Sequence, residues 1–275
     1  MSLTTEIIIL LITGAAVGFA SGMLGVGGCF IMVPVQFWLL KSLGVDPTIA
    51  IRVAFGTNLM VVLPTSISGA ITHHYKGAVR WKQGMLLGIS AFAGSFLGAY
   101  IASKTPGAVL TEAFGIAVVL GAIRMATAKP IKQDEEPVDS VWIYVICGIL
   151  LGIVSGIIGI GGGVLMVPVM VLALRFKMHE AIGTSMLMMA FSALGGAISY
   201  LINGLGVAGL PLYSTGYVNW VQFLALAGTS IPLAVVGSLI AHKVPAKQLK
   251  TIFVIVFLYM GLKMMGVFAW LHLPI

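Results

Sequence analysis

The sequence predicts an all-α integral membrane protein built from two pseudo-symmetric repeats of four or five membrane helices, eight to ten in total. Three observations carry that expectation. Of 275 residues, 59% are hydrophobic and 8% are charged. Soluble domains carry about 25% charged residues, so this chain cannot supply a water-facing surface. Apolar runs of about 20 residues follow one another, each long enough to cross a bilayer as a helix. They are continuous rather than alternating, which argues against a β-barrel. The third observation is an internal repeat.

Gly14, Gly18, Ser21, Gly22, Gly25, Gly27, Gly28 and Pro34 recur as Gly148, Gly152, Ser155, Gly156, Gly159, Gly161, Gly162 and Pro168, always 134 positions later. Gly56-Thr57 and Gly69-Ala70-Ile71 match Gly183-Thr184 and Gly196-Ala197-Ile198 at an offset of 127. After an extra stretch, Leu205 to Gly216, the residues Trp81, Gly98, Ala102 and Pro106 match Trp220, Gly237, Ala241 and Pro245 at 139. The chain divides into a first repeat (1–128), a polar linker (129–139) and a second repeat (140–275).

The elements follow in order. The first long apolar segment, 5–43, is interrupted by a Gly-rich run, and segments near 47–73, 80–102 and 107–127 follow. Met1 to Glu6 has no basic stretch and no small-residue cleavage site, so the first run reads as retained. Lys129 to Asp139 holds Pro130, Pro137 and four acids, and reads as a solvated loop. The second half repeats the plan at 140–175, 178–202, 218–241 and 246–270.

Charge placement bears on the orientation of the halves. If each first segment crosses once, the repeats are parallel and the basic residues split evenly. If the chain reverses at each Gly-rich run, the repeats are inverted, and Lys76, Arg80, Lys82, Arg124, Lys129, Lys132, Arg175, Lys177, Lys243, Lys247 and Lys250 share one face. Lys41, Arg52, Lys104 and Lys263 remain on the other, so 11 of 15 basic residues lie together. The positive-inside rule favours that split, with the linker cytoplasmic and both termini outside. The net charge of +7 therefore reflects topology and not nucleic-acid binding.

Gly14, Gly18 and Gly22, like Gly148, Gly152 and Gly156, recur every four residues and make a flat face for helix packing. Gly25, Gly27 and Gly28, and Gly159, Gly161, Gly162 and Gly163, are too dense for one continuous helix. Such a break is tolerated at membrane depth where it is buried in protein or lines a cavity. It exposes backbone N–H groups with the positive end of a helix dipole behind them, an anion site that needs no charged side chain. Paired interruptions in two halves point to a transporter binding site, here one where the broken helices meet at the centre. Tight packing of the halves is the competing reading. A binding turn implies that a methyl at Gly28 or Gly162 displaces the anion and leaves the fold intact.

The duplicated pattern Gly-x-x-x-Gly-x-x-Ser-Gly-x-x-Gly-x-Gly-Gly, followed by proline, resembles the sulfite exporter TauE/SafE family, also called the toluene-sulfonate uptake permease family. The resemblance covers essentially the whole chain. It implies a transporter that moves a sulfur-containing anion, such as sulfite, sulfoacetate or another sulfonate, across the inner membrane. One departure is Cys29 where the second copy has Gly163.

Other candidates surround the turns. Arg52 is the one basic residue inside an apolar stretch, and pairs with the anion, with Asp46 or lipid phosphate, or snorkels to the interface. Thr57 and Asn58, matched by Thr184 and Ser185, serve either as hydrogen-bond partners of an oxyanion or as helix–helix contacts. His73 and His74 are interfacial groups or proton carriers, and Glu112 is the carboxylate within the fourth helix of the first half. Cys29 and Cys147 read as free thiols without metal spacing.

No nucleotide-binding Gly-x-x-x-x-Gly-Lys-[Ser/Thr] motif occurs, so a proton or other ion gradient, or the substrate gradient alone, drives transport. An anion channel or an intramembrane enzyme are the alternatives. Ser155-Gly156 suggests a serine nucleophile, but it recurs as Ser21-Gly22 inside the packing motif. The expected partners are a small anion and the lipid bilayer, with no cofactor and no metal.

Overall fold

The computed structural model describes residues 3–24, 29–127, 138, 140–240, 254–255 and 258–267. The described helices are α1 (Leu3–Leu24), α2 (Cys29–Ser42), α3 (Pro47–Tyr75), α4 (Trp81–Lys104), α5 (Gly107–Thr127), α6 (Val141–Ile158), α7 (Gly163–Leu172), α8 (Met178–Asn203) and α9 (Trp220–Ile240). Two short strands, β1 (Ser214–Thr215) and β2 (Val218–Asn219), pair antiparallel before α9. Seven of the helices are long and apolar enough to cross a membrane, all but α2 and α7. The protein is a multi-pass, all-α membrane protein. Most of the last predicted segment, the linker apart from Val138, and Gly25, Gly27 and Gly28 lie outside the described residues.

Local chemistry sets the helix boundaries. Asp46 caps α3, its Oδ1 accepting from the N–H groups of Thr48 (2.8 Å) and Ile49 (3.2 Å), with Pro47 at the first helical position. Gly159 ends α6 in the left-handed region at φ 66°.

The two halves interlock through equivalent helices. Gly14, Gly18 and Gly22 of α1 lie against Leu226, Ser230 and Ala234 of α9, so these two helices run parallel. Gly148, Gly152 and Gly156 of α6 lie against Leu87, Ala91 and Ser95 of α4 in the same sense. Between these pairs, α3 packs on its counterpart α8 antiparallel: Gly56 meets Tyr200, Leu59 meets Gly196, and Gly69 meets Met186. In the second half the chain turns back after α6, because the Val138 N–H, just before α6, donates to the Leu174 carbonyl just after α7 (3.3 Å).

The buried centre is formed by α3 and α8, whose Val53, Ala54, Phe55, Leu59, Ala193 and Tyr200 are nearly inaccessible. Apolar side chains also point outward. On α5, Val109, Ile116, Leu120 and Ile123 form one exposed stripe, suited to lipid and not to water.

Candidate functional site

The second Gly-rich run is a true break at the buried centre. Gly159, Gly161 and Gly162 take φ values of 66°, 70° and 89°, which favour glycine over any residue with a Cβ. Gly162 caps α7 without a side-chain hydrogen bond, and its carbonyl accepts from Leu165 (3.0 Å) and Met166 (2.9 Å). The N–H groups that precede these have no partner within the helix. The turn rests on α3, with Gly159 against Phe55 and Gly161 against Val62. Asn58 Nδ2 donates to the Gly159 carbonyl, and its amide also reaches the Cys29 thiol. Asn58 Oδ1 is buried and has no hydrogen-bond partner among the described residues. Cys29, the first residue of α2, donates in turn to the Ile160 carbonyl, which joins the start of α2 to the turn of the other half. A narrow cleft beside the turn is lined by Ala117, Ser155, Ile158, Ile160, Gly162 and Leu165.

Of the polar residues predicted beside the turns, Asn58 is brought to the second turn, and the others make different contacts. Thr57 Oγ1 accepts the Asn219 N–H (2.9 Å) and Thr184 Oγ1 accepts the Arg80 N–H (3.1 Å). Asn219 and Arg80 are repeat counterparts, each one residue before its helix, α9 or α4. The two threonines thus satisfy the first N–H groups of equivalent helices. The preceding glycines match this arrangement: a Cβ at Gly56 would strike the Tyr217 carbonyl, and one at Gly183 the Ala78 carbonyl. Ser185 Oγ donates to Ile182 of its own helix (2.8 Å).

Arg52 lies half-buried, about 9 Å along α3 from Asn58 at 1.5 Å per residue. It donates to Tyr217 Oη (3.2 Å) and to the Thr105 carbonyl (2.9 Å), while its Nε has no partner among the described residues. The expected alternative of pairing with Asp46 is not what the structure holds, because Asp46 is committed to capping α3. Tyr217 packs edge-on against Tyr200, whose hydroxyl donates to the Gly156 carbonyl (3.1 Å) near the break. Tyr217 and Tyr200 thus link Arg52 to the Gly156 carbonyl near the break.

Glycine spacing in α1 and α6 is a packing device. A Cβ at Gly18 would run into the Ser230 backbone, and one at Gly152 into the Ala91 backbone. The expectation that a methyl at Gly162 leaves the fold intact needs correction. Alanine is strained at φ 89°, and its Cβ would meet the Met166 side chain. His74 Nδ1 accepts from Trp81 Nε1 (3.0 Å), and Glu112 is exposed near the start of α5. Cys29 is buried and Cys147 half-buried, and neither forms a disulfide among the described residues.

Sequence reasoning missed three polar residues. Gln36 of α2 is fully buried, and neither its Nε2 nor its Oε1 has a partner among the described residues. Glu6 of α1 is 7% exposed and accepts from Gln222 Nε2 of α9 (3.1 Å). The signal was available, since Gln36 stands in an apolar run where the second half has Met170.

The family model described as "Sulfite exporter TauE/SafE" matches residues 10–264. The chain resembles a "Probable membrane transporter protein" of Methanocaldococcus jannaschii at 29% identity, over 94% of each chain. It also resembles one of Haemophilus influenzae (29% identity, 94% of this chain and 98% of that one) and one of Bacillus subtilis (27%, 95% and 99%). No solved structure matches significantly. The chain belongs to the sulfite exporter TauE/SafE family.

Proposed function

We propose that this membrane transporter is a secondary carrier of a small sulfur-containing anion, sulfite, sulfoacetate or another sulfonate, in the inner membrane. The observation that carries the reading is the turn of three left-handed glycines at Gly159, Gly161 and Gly162, buried against Asn58 and opening α7 without a side-chain cap. The N–H groups that lack an intrahelical partner at the start of α7, and its dipole, suit a compact oxyanion. Arg52, with two positioning hydrogen bonds and an Nε that has no partner among the described residues, supplies positive charge on the approach. The antiparallel packing of α3 on α8 and the return of the chain after α6 support inverted repeats, and the basic-residue split supports a cytoplasmic linker.

Thermal unfolding of the purified protein with sulfite, sulfate, sulfoacetate, taurine or carboxylate analogues tests the substrate class. Selective stabilisation by a sulfur oxyanion is expected, and equal response to carboxylates contradicts it. Uptake or release by proteoliposomes tests carriage, and sustained single-channel currents would assign a channel instead.

A further inference from the structure

We infer that Glu6, Gln36 and Gln222 form a site for one monovalent cation, sodium or a proton, between α1, α2 and α9. The inference rests on the transporter reading and names the ion that would drive it.

Glu6 is buried, and its one hydrogen bond given by the structure comes from Gln222 Nε2. Gln222 is fully buried, and its Oε1 is left without a partner among the described residues. Gln36 is also fully buried, with both amide atoms unpartnered. Helical spacing puts Gln36 on the face of Met32 and Leu39, and sets Gln222 beside Phe223 and one turn before Leu226. Met32, Leu39, Phe223 and Leu226 belong to a single apolar cluster, so the two amides lie on helix faces that meet the same cluster. Buried polar groups normally find partners, and buried carboxylates inside a membrane are functional candidates. This set is rich in acceptor oxygens: the Glu6 carboxylate and two glutamine carbonyls. Hard oxygen donors of this kind suit a hard cation.

Asymmetry between the repeats separates this feature from shared packing. Gln222 has Gln83 as its counterpart, but Glu6 corresponds to Ser140 and Gln36 to Met170. The carboxylate and the second amide thus occur in the first half alone. Among the described residues, α9 carries no charged residue, Glu6 is the one charged residue of α1, and Lys41 of α2 lies exposed over the Phe37 ring at 5.4 Å. The elements packed here also carry Arg52, His73 and His74 on α3, and Lys263 sits over the Trp38 ring of α2 at 4.7 Å.

The test is thermal unfolding of the full-length protein in sodium chloride against choline chloride at equal ionic strength, at acid and neutral pH. No sulfur anion is present, so the result is independent of the anion site. For sodium, the wild type is stabilised over choline, and Glu6→Gln and Gln36→Met each require about tenfold more sodium, equivalent to about 1.4 kcal/mol. For a proton, sodium and choline act alike, while the pH response of the wild type is lost in Glu6→Gln and altered in Gln36→Met. Gln222→Met replaces Glu6→Gln if the latter does not fold. Identical ion and pH responses in the wild type and these variants would overturn the site. So would a Gln36→Met protein that is merely more stable, because the buried amide would then be a packing defect.

Discussion

Replacing Gly152 by alanine should weaken the protein, whereas the same change at Gly228 should not. The nearest atoms to a Cβ at Gly152 are the carbonyl oxygen, Cα and carbonyl carbon of Ala91. All three are backbone, so no side chain can rotate away. Reaching an ordinary separation of about 3.5 Å requires α4 and α6 to part by about 1 Å. That shift also opens the contacts at Gly148 and Gly156. Overpacking of this kind costs about 1–3 kcal/mol. At Gly228, exposed on α9, a Cβ meets nothing within 4 Å. There alanine gains up to about 1 kcal/mol of helix propensity. Because the propensity gain applies in both helices, the variants should differ by the overpacking cost, about 1–3 kcal/mol. Thermal unfolding in detergent micelles reads the difference, with Gly18→Ala as the pseudo-symmetric repeat of Gly152→Ala. Equal melting temperatures for Gly152→Ala and Gly228→Ala would refute the packing argument.

Thr57→Val should cost about 1–3 kcal/mol by stranding the buried Asn219 N–H, and Thr184→Val less because the Arg80 N–H is only partly buried. Denaturation of both single variants and the double variant checks the order and their near-additivity. Arg52→Lys keeps the charge but loses the planar fork that reaches Tyr217 and Thr105, so transport should fall in a protein that still folds. Wild-type transport in both Arg52→Lys and Arg52→Gln would remove Arg52 from the path. Reporter fusions at the C-terminus should report an outside location, and a cytoplasmic C-terminus would favour parallel repeats.

Much of the architecture was legible because the membrane imposes it. Apolar run length marked α3, α4, α5, α8 and α9 within a few residues, and the Gly-x-x-x-Gly spacing marked the faces of α1 and α6. Density of glycine located the break at Gly159–Gly162, since backbone strain is a local property written in composition. Side-chain partners were not legible in the same way. Thr57 and Thr184 were placed beside the turns by sequence proximity, but their hydroxyls serve residues 162 and 104 positions away. Arg52 finds Tyr217, the residue just after the extra stretch of the second half, 165 positions away. Burial of Gln36 and Glu6 likewise depends on how α1, α2 and α9 meet, which no periodicity states.

The most direct test of the central claim is an experimental structure with bound 2-bromoethanesulfonate, whose bromine marks the ligand by anomalous scattering. The sulfonate should lie with its oxygens about 2.7–3.2 Å from backbone N–H groups at the Gly161–Gly163 turn, beside Asn58. Ligand bound at Arg52 or elsewhere, with the turn N–H groups unengaged, would contradict the assignment and leave the glycines as a packing joint.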